Sequence, residues 1–301
     1  MKQLLVKIAV FAALVFVVDT AFGFVMKWAL AGTTKGDWGR RNYILNETHE
    51  DILIFGSSRA IHHYDPKIFE DSLQMTCYNC AEDGSGILLH YPRIETILER
   101  YKPKLVIYDL IPQYDFWNFG EINSLSRLRP YSDILAIGKF IENIDNKEYY
   151  KLCSNLYKYN SSFIEILQQR LSSDSMSSAE FTYGALEGVI DSVTNKDSEF
   201  DGDGLDFVKF KYLRDFVDLC KKHEVNLIFT ASPWFKMECC DAYSPVEKLC
   251  REKKIPFLNH NFDSYFNNDK RYFHDAAHLN KYGAVTFSSL IAHEILESYI
   301  P

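Results

Sequence analysis

The chain has 301 residues, 47% of them hydrophobic and 25% charged, with a formal net charge of −8. That length buries a full core as one large domain, or as one domain carrying an insertion. The acidic balance, with Lys and Arg scattered rather than striped, excludes a nucleic-acid-binding surface. The 22 Phe and 19 Tyr suit a well-packed core as much as a carbohydrate or acyl-chain cleft.

Residues 1–30 read as a membrane anchor. Lys2 and Lys7 precede a run from Ile8 to Met26 that is interrupted only by Asp19. Nineteen residues approach the thickness of a bilayer core, and the eleven Ile, Leu, Val or Phe among them outweigh a cost of about 3 kcal/mol for the aspartate. A cleaved signal peptide is the rival reading, because "ALAG" at 29–32 resembles a small-residue cleavage site. Lys27 and Trp28 separate that site from the apolar run, which favours an uncleaved anchor. With the short basic N-terminus taken as cytoplasmic, the chain is a single-pass protein of the cell membrane whose main domain lies on the outer side. Residues 31–50 then read as a linker.

Five short apolar runs follow: "DILIFG" (51–56), "MTCYN" (75–79), "KLVIYDL" (104–110), "VNLIFTA" (225–231) and "PFLNH" (256–260). They are apolar on both faces, as strands of a parallel sheet covered by helices must be. Between and after them lie helical patterns. Asp65-Pro66 is a cap and first-turn pair opening "PKIFEDSL". "GILLHYPRIETILERY", "DFVKFKYLRDFVDLCKKH" and "KYGAVTFSSLIAHEILESY" carry apolar residues at three- and four-residue spacing. The expectation for 51–301 is an α/β, flavodoxin-like three-layer sandwich on a five-stranded parallel sheet. About ninety residues between the third and fourth runs exceed any crossover, so 116–205 reads as a helical insertion, a lid or substrate platform.

Two motif-like stretches dissolve on inspection. Cys77 and Cys80 form a C-x-x-C, but the next cysteine pair, Cys239–Cys240, is adjacent rather than spaced for a zinc site, and a buried strand accounts for the motif. Asp197, Glu199, Asp201 and Gly202 echo the start of a calcium loop, yet Val208 stands where its closing carboxylate belongs. No metal or other cofactor is implied.

Ligands of open α/β sheets bind at the carboxyl ends of the strands. The first run ends in Gly56-Ser57-Ser58-Arg59, the second leads to Asn79 and Gly84, the third to "DLIPQYD", and "HDAAHLN" with Asp275 and His278 precedes the last helix. A serine hydroxyl, a histidine to take its proton, a carboxylate to hold that histidine and donors for an oxyanion are the parts of serine-based acyl chemistry. Ser57 and Ser58 as turn caps, Asp275 and His278 as a helix-start hydrogen bond, and His62 and His63 as loop histidines are the bland alternatives. Arg59 suits an anionic substrate group or a partner such as Glu82 or Asp83.

These blocks resemble the SGNH (GDSL-type) hydrolases, over roughly 50–115 and 205–295. Gly56-Ser57-Ser58 takes the place of the family's Gly-Asp-Ser, Asn79 and Gly84 match its second block, and Asp275-x-x-His278 its last. The third block, Gly-x-Asn-Asp, is missing, and Gln113 is the stand-in for its asparagine. The resemblance implies the SGNH hydrolase fold, with Ser58, His278 and Asp275 catalytic and Ser58, Gly84 and Gln113 around the oxyanion; Arg59, His62 and His63, following Ser58 before the Pro66 helix, are expected toward substrate. The Gly-Ser-Ser-Arg variant behind an anchor looks most like proteins of surface-polysaccharide O-acylation and deacylation. It implies a serine esterase or acyltransferase working on acyl, chiefly acetyl, esters of surface glycans, with an acyl-export or polysaccharide-assembly membrane protein as partner. Two other readings stay open: a glycan-binding or assembly protein that keeps the fold without turnover, and a tethered lipase or thioesterase.

Overall fold

Strand β1 (Ile52–Gly56) pairs in parallel with β2 (Cys77–Asn79) on one side and β3 (Leu105–Asp109) on the other. β4 (Asn226–Ala231) and β5 (Phe257–Asn259) extend the sheet past β3, giving the order β2-β1-β3-β4-β5. All five expected runs form strands, and β1, β2 and β3 are buried along their whole length. Burial on both faces is why their sequences are continuously apolar rather than alternating. The computed structural model describes residues 1–117, 124–172, 178–181, 183–190, 204–236 and 241–298. The calcium-loop-like acids at 197–202 and the Cys239–Cys240 pair fall outside them.

Before the sheet come helices α1 (Lys2–Ala31) and α2 (Gly36–Asn46). α3 (Ser58–His63), α4 (Pro66–Leu73) and α5 (Ile87–Leu98) lie among the first three strands, and α6 (Pro112–Asp115) follows β3. The insertion holds α7 (Ser124–Leu128), α8 (Leu135–Ile144), α9 (Asn146–Lys151), α10 (Asn155–Tyr159) and α11 (Phe163–Leu171). α12 (Phe207–Lys222), α13 (Ser244–Lys253), α14 (Ser264–Asn267) and α15 (Lys281–Ser298) complete the chain.

These elements form two compact units. One is Thr48–Ile122 with Phe181–Pro301, and it contains the whole sheet. Ile52, Ile54 and Ile107 from its strands pack with Phe69, Phe287 and Ile291 from α4 and α15. The cap read at Asp65 is present: its carboxylate accepts the Lys67 N–H at 3.0 Å, with Pro66 in the first turn. Asp206 caps α12 in the same manner, accepting from Val208 and Lys209.

The other unit is Met1–Glu47 with Asn123–Glu180, so the insertion's helices share a unit with α1. The expected linker is not loose chain: α2 buries Trp38, Tyr43, Ile44 and Leu45. Trp38 stacks on Tyr131 and donates from its indole to Glu165 at 2.9 Å. Packed aromatic side chains, which a linker reading overlooks, make this stretch part of the fold. α1 is the one helix among the described residues long and apolar enough to cross a membrane.

Candidate active site

The apolar run of β1 stops at a glycine for a steric reason. Gly56 has φ +143, and a Cβ there would sit 2.7 Å from the Asp109 carbonyl oxygen and 2.7 Å from the Ala60 side chain. The chain then extends through Ser57 and turns into α3, whose first residue is Ser58. A first-turn N–H has no acceptor inside its own helix. Asn79, at the end of β2, fixes α3 by donating to the carbonyls of Ala60 at 2.9 Å and Tyr64 at 3.1 Å.

Ser58 Oγ lies 2.9 Å from His278 Nε2. On the other side of the ring, Nδ1 lies 2.9 and 3.0 Å from the two Asp275 oxygens. That contact sets the tautomer, with Nδ1–H donating to the carboxylate and Nε2 free to accept from the serine. Asp275 Oδ1 also accepts the N–H groups of Ala277 and His278, both at 2.8 Å. Burial alone would raise this carboxyl, but hydrogen bonding and charge from His278, with the two N–H groups, outweigh it and hold Asp275 at about 2. The loop closes on itself through Phe273 and Leu279, which form an isolated antiparallel bridge.

Serine, histidine and aspartate thus stand in one chain of hydrogen bonds at the carboxyl edge of a β2-β1-β3-β4-β5 parallel sheet, with the serine opening the helix after β1. The fold is SGNH-like.

The remaining blocks of the SGNH-like pattern fall as follows. A cleft of about 250 Å³ is lined by Ser58, Arg59, Ile111, Gln113, Tyr114, Trp234, Ala277 and His278. Gln113 is therefore beside the serine, and its Oε1 is buried without a hydrogen-bond partner. Gly84 adopts φ +59 with nothing within 4 Å of where a Cβ would be, and it is not a lining residue of the cleft. Gly86, two residues on, is needed for close packing: a Cβ would meet the Tyr114 carbonyl oxygen at 2.3 Å. Ser57, in the place of the family's aspartate, is buried and accepts the Ser85 N–H at 3.2 Å. It ties the loop after β2 to the end of β1.

The three side chains expected to face substrate do other work. Arg59 is 1% exposed. Its Nε donates to Ser232 Oγ at 3.0 Å, Nη1 to Asn261 at 3.3 Å and Nη2 to the Ser232 carbonyl, with Asp109 at 4.0 Å. Glu82, one partner foreseen for it, is bonded to Arg93. The guanidinium is spent inside the protein, so Arg59 walls the cleft without presenting charge to it. His63 is fully buried, and its Nε2 accepts the Leu279 N–H at 2.9 Å, next to His278; burial pushes its pKa well down. His62 lies edge-on to the His278 ring at 5.2 Å, with Nδ1 against the Gly184 carbonyl, and burial lowers its pKa too. Both histidines back the catalytic candidate rather than line the cleft.

Several residues near the site carried no readable signal. Asp109 is buried at the end of β3 and accepts from Tyr64, the Ser232 N–H and Ser232 Oγ at 2.8–2.9 Å. Lys209, on α12, donates to the carbonyls of Gln113 and Trp117, both at 2.9 Å, and so fixes the loop that carries Gln113. Asp115 in that loop accepts from Ile111 N–H and Tyr108 OH, both at 2.7 Å, and burial pushes it up to about 7. Residues 183–190 cross the site's rear: Gly184 N–H bonds the Ile61 carbonyl, and the Leu186 and Gly188 carbonyls accept from Lys281 and Asn280. Only the polar ends of strands could have been suspected from sequence. The partners of Arg59 lie 173 and 202 residues away.

No protein-family model matches the chain, and no curated protein matches it. Among solved structures it is similar to a GDSL-like lipase from Bacteroides thetaiotaomicron VPI-5482, with 11% identity, a TM-score of 0.39, and coverage of 82% of this chain and 88% of that one. It is also similar to an acetyl xylan esterase, with 10% identity, a TM-score of 0.41, and coverage of 83% and 100%.

Proposed function

We propose that this chain is a serine esterase or acyltransferase that acts on small acyl esters, chiefly acetyl esters of surface glycans, held at the membrane by α1 with the α/β unit outside. The observation that carries the chemistry is the 2.9 Å contact of Ser58 Oγ with His278 Nε2, backed by Asp275 on Nδ1. Ser58 Oγ attacks the ester carbonyl carbon while its proton passes to His278 Nε2. The carbonyl oxygen becomes an oxyanion, for which the Ser58 N–H and Gln113 Nε2 are the proposed donors, both from residues that line the cleft, whereas Gly84 does not line it. Collapse breaks the bond to the leaving alcohol, which takes the proton from His278, and leaves an acyl-Ser58. Water or a sugar hydroxyl, deprotonated by His278, then releases the acyl group. Asp275 stays ionised throughout and stabilises the imidazolium.

A cleft of about 250 Å³, below the usual 300–1,000 Å³ of ligand pockets, supports a short acyl group over a long chain. Labelling with a fluorophosphonate tests the reading. Wild type should be modified at Ser58 and should cleave a small acetyl ester faster than a long-chain one, while Ser58→Ala should do neither. A folded wild type inert to both reagents would favour the binding-protein alternative.

A further inference from the structure

Resting on the membrane-anchor reading of α1, we infer that the helical unit sits directly in the headgroup layer of the bilayer, with Asp19 at the hydrocarbon edge. From Leu4 to Val18 the large apolar side chains of α1 are exposed, and nothing among the described residues covers them. Asp19 is where the protein begins. Its carboxylate accepts from Ser154 Oγ at 2.7 Å, Leu156 N–H at 2.8 Å, Asn155 N–H at 2.9 Å and Asn155 Nδ2 at 3.1 Å. Beyond it Gly23, Met26, Ala29 and Leu30 are buried at helical spacing, and Phe22 meets the rings of Tyr159 and Phe163.

Asp19 cannot enter hydrocarbon alone. Moving it there takes the start of α10 with it, along with the Glu148, Arg129 and Lys151 ion pairs that Tyr157 joins from α10. So the packed face of α1 leaves the lipid at Asp19. With Lys7 reaching back to the far interface by its long side chain, Leu4–Val18 is then only ~22 Å of helix against about 30 Å of hydrocarbon. The shortfall, roughly 8 Å, matches the reach of the opposite face, where Phe24 stands ~7.5 Å beyond Asp19 and is 77% exposed. α11 runs beside this stretch, from Phe163 at Phe22 to Arg170 over the Trp28 ring. It presents Ile164, 58% exposed, at the same level. Exposed apolar side chains next to a short span are what a shallowly embedded helix supplies. The partner of this surface is lipid, continuous with the lipid around α1.

The test is depth-dependent quenching in the full-length protein, reconstituted in phosphatidylcholine–phosphatidylglycerol vesicles, with Cys153, Cys239 and Cys240 replaced by serine. A bimane label is placed at Ile164→Cys, at Phe24→Cys, or at Leu135→Cys, an exposed position elsewhere in the unit. The labels at 24 and 164 should be quenched several-fold more by shallow spin-labelled lipid than by aqueous iodide, and the label at 135 by iodide alone. Iodide quenching at 164 equal to that at 135 would mean the unit stands clear of the membrane and would overturn the inference. Extraction of the protein by alkaline carbonate would instead overturn the anchor reading beneath it.

Discussion

Ser58 and His278, 220 residues apart in the chain, are joined by a 2.9 Å contact between hydroxyl and imidazole. Neither side chain reaches the other by local structure. β1 with its glycine stop delivers the serine, and a loop hydrogen-bonded to itself and to His63 delivers the histidine.

Removing either group should remove the proposed chemistry without unfolding the protein. Ser58→Ala and His278→Ala should lower ester turnover by about 10⁴ or more, with melting temperatures close to wild type. Asp275→Asn should cost a comparable factor through the wrong tautomer. Steady-state rates on an acetyl ester, alongside thermal melts, check both halves. Substantial turnover by a folded Ser58→Ala protein would sink the assignment.

Arg59 separates a buried strut from a substrate receptor. Its guanidinium is enclosed and bonded to Ser232 and Asn261 near a buried Asp109. Arg59→Met should therefore leave Asp109 a buried, uncompensated charge and lower stability by roughly 3–5 kcal/mol. An anion receptor would behave otherwise, with KM rising sharply and the melting temperature unchanged. Denaturation and KM measured on one preparation distinguish the two.

The resemblance puts Ser58 in the nucleophile's place and Ser57 in the aspartate's, and in the structure the two hydroxyls have different partners, His278 for Ser58 and the Ser85 N–H for Ser57. Ser57 Oγ accepts the Ser85 N–H inside the protein. Ser57→Ala should keep turnover within about tenfold but lose ~1–3 kcal/mol, the cost of an unsatisfied buried donor. A folded Ser57→Ala protein with no activity would move the nucleophile to the wrong serine.

The strands and the last block were legible because each is local. Continuous apolar runs announce buried parallel strands, and Asp275 and His278 are three residues apart. The insertion's partner was not legible. Asp19 looked like a blemish in an apolar run, and its donors lie some 135 residues further on with no periodicity to betray them. Nearness to Ser58 in sequence points Arg59, His62 and His63 toward substrate. A six-residue helix turns successive side chains about 100° apart, so His62 and His63 lie behind the cleft and Arg59 walls it with its guanidinium bonded inside the protein.

Asp115 and Asp275 should leave opposite marks on stability as pH changes. Asp275 is held at about 2, below its ordinary 3.8, so its contribution is present above pH 4 and is lost as pH falls from 4 towards 2. Asp115 is pushed by burial from 3.8 to about 7, so the folded state holds a proton that the unfolded chain releases. Its contribution is full below pH 4 and is lost as pH rises through 7. Between pH 5 and 8 wild type should therefore lose stability relative to Asp115→Asn, which keeps an acceptor for the Ile111 N–H, while His63 and His62, whose pKa values burial lowers, add stability with rising pH in both proteins alike. Below pH 4 the two should decline together, and Asp275→Asn should decline less. Denaturation midpoints at pH 3, 5 and 8 for the three proteins check these signs. A wild type that gains stability from pH 5 to 8 to the same degree as Asp115→Asn would mean that Asp115 is ionised in the fold at neutral pH. The loop carrying Gln113 would then be held by a full charge beside Lys209, not by a neutral carboxyl.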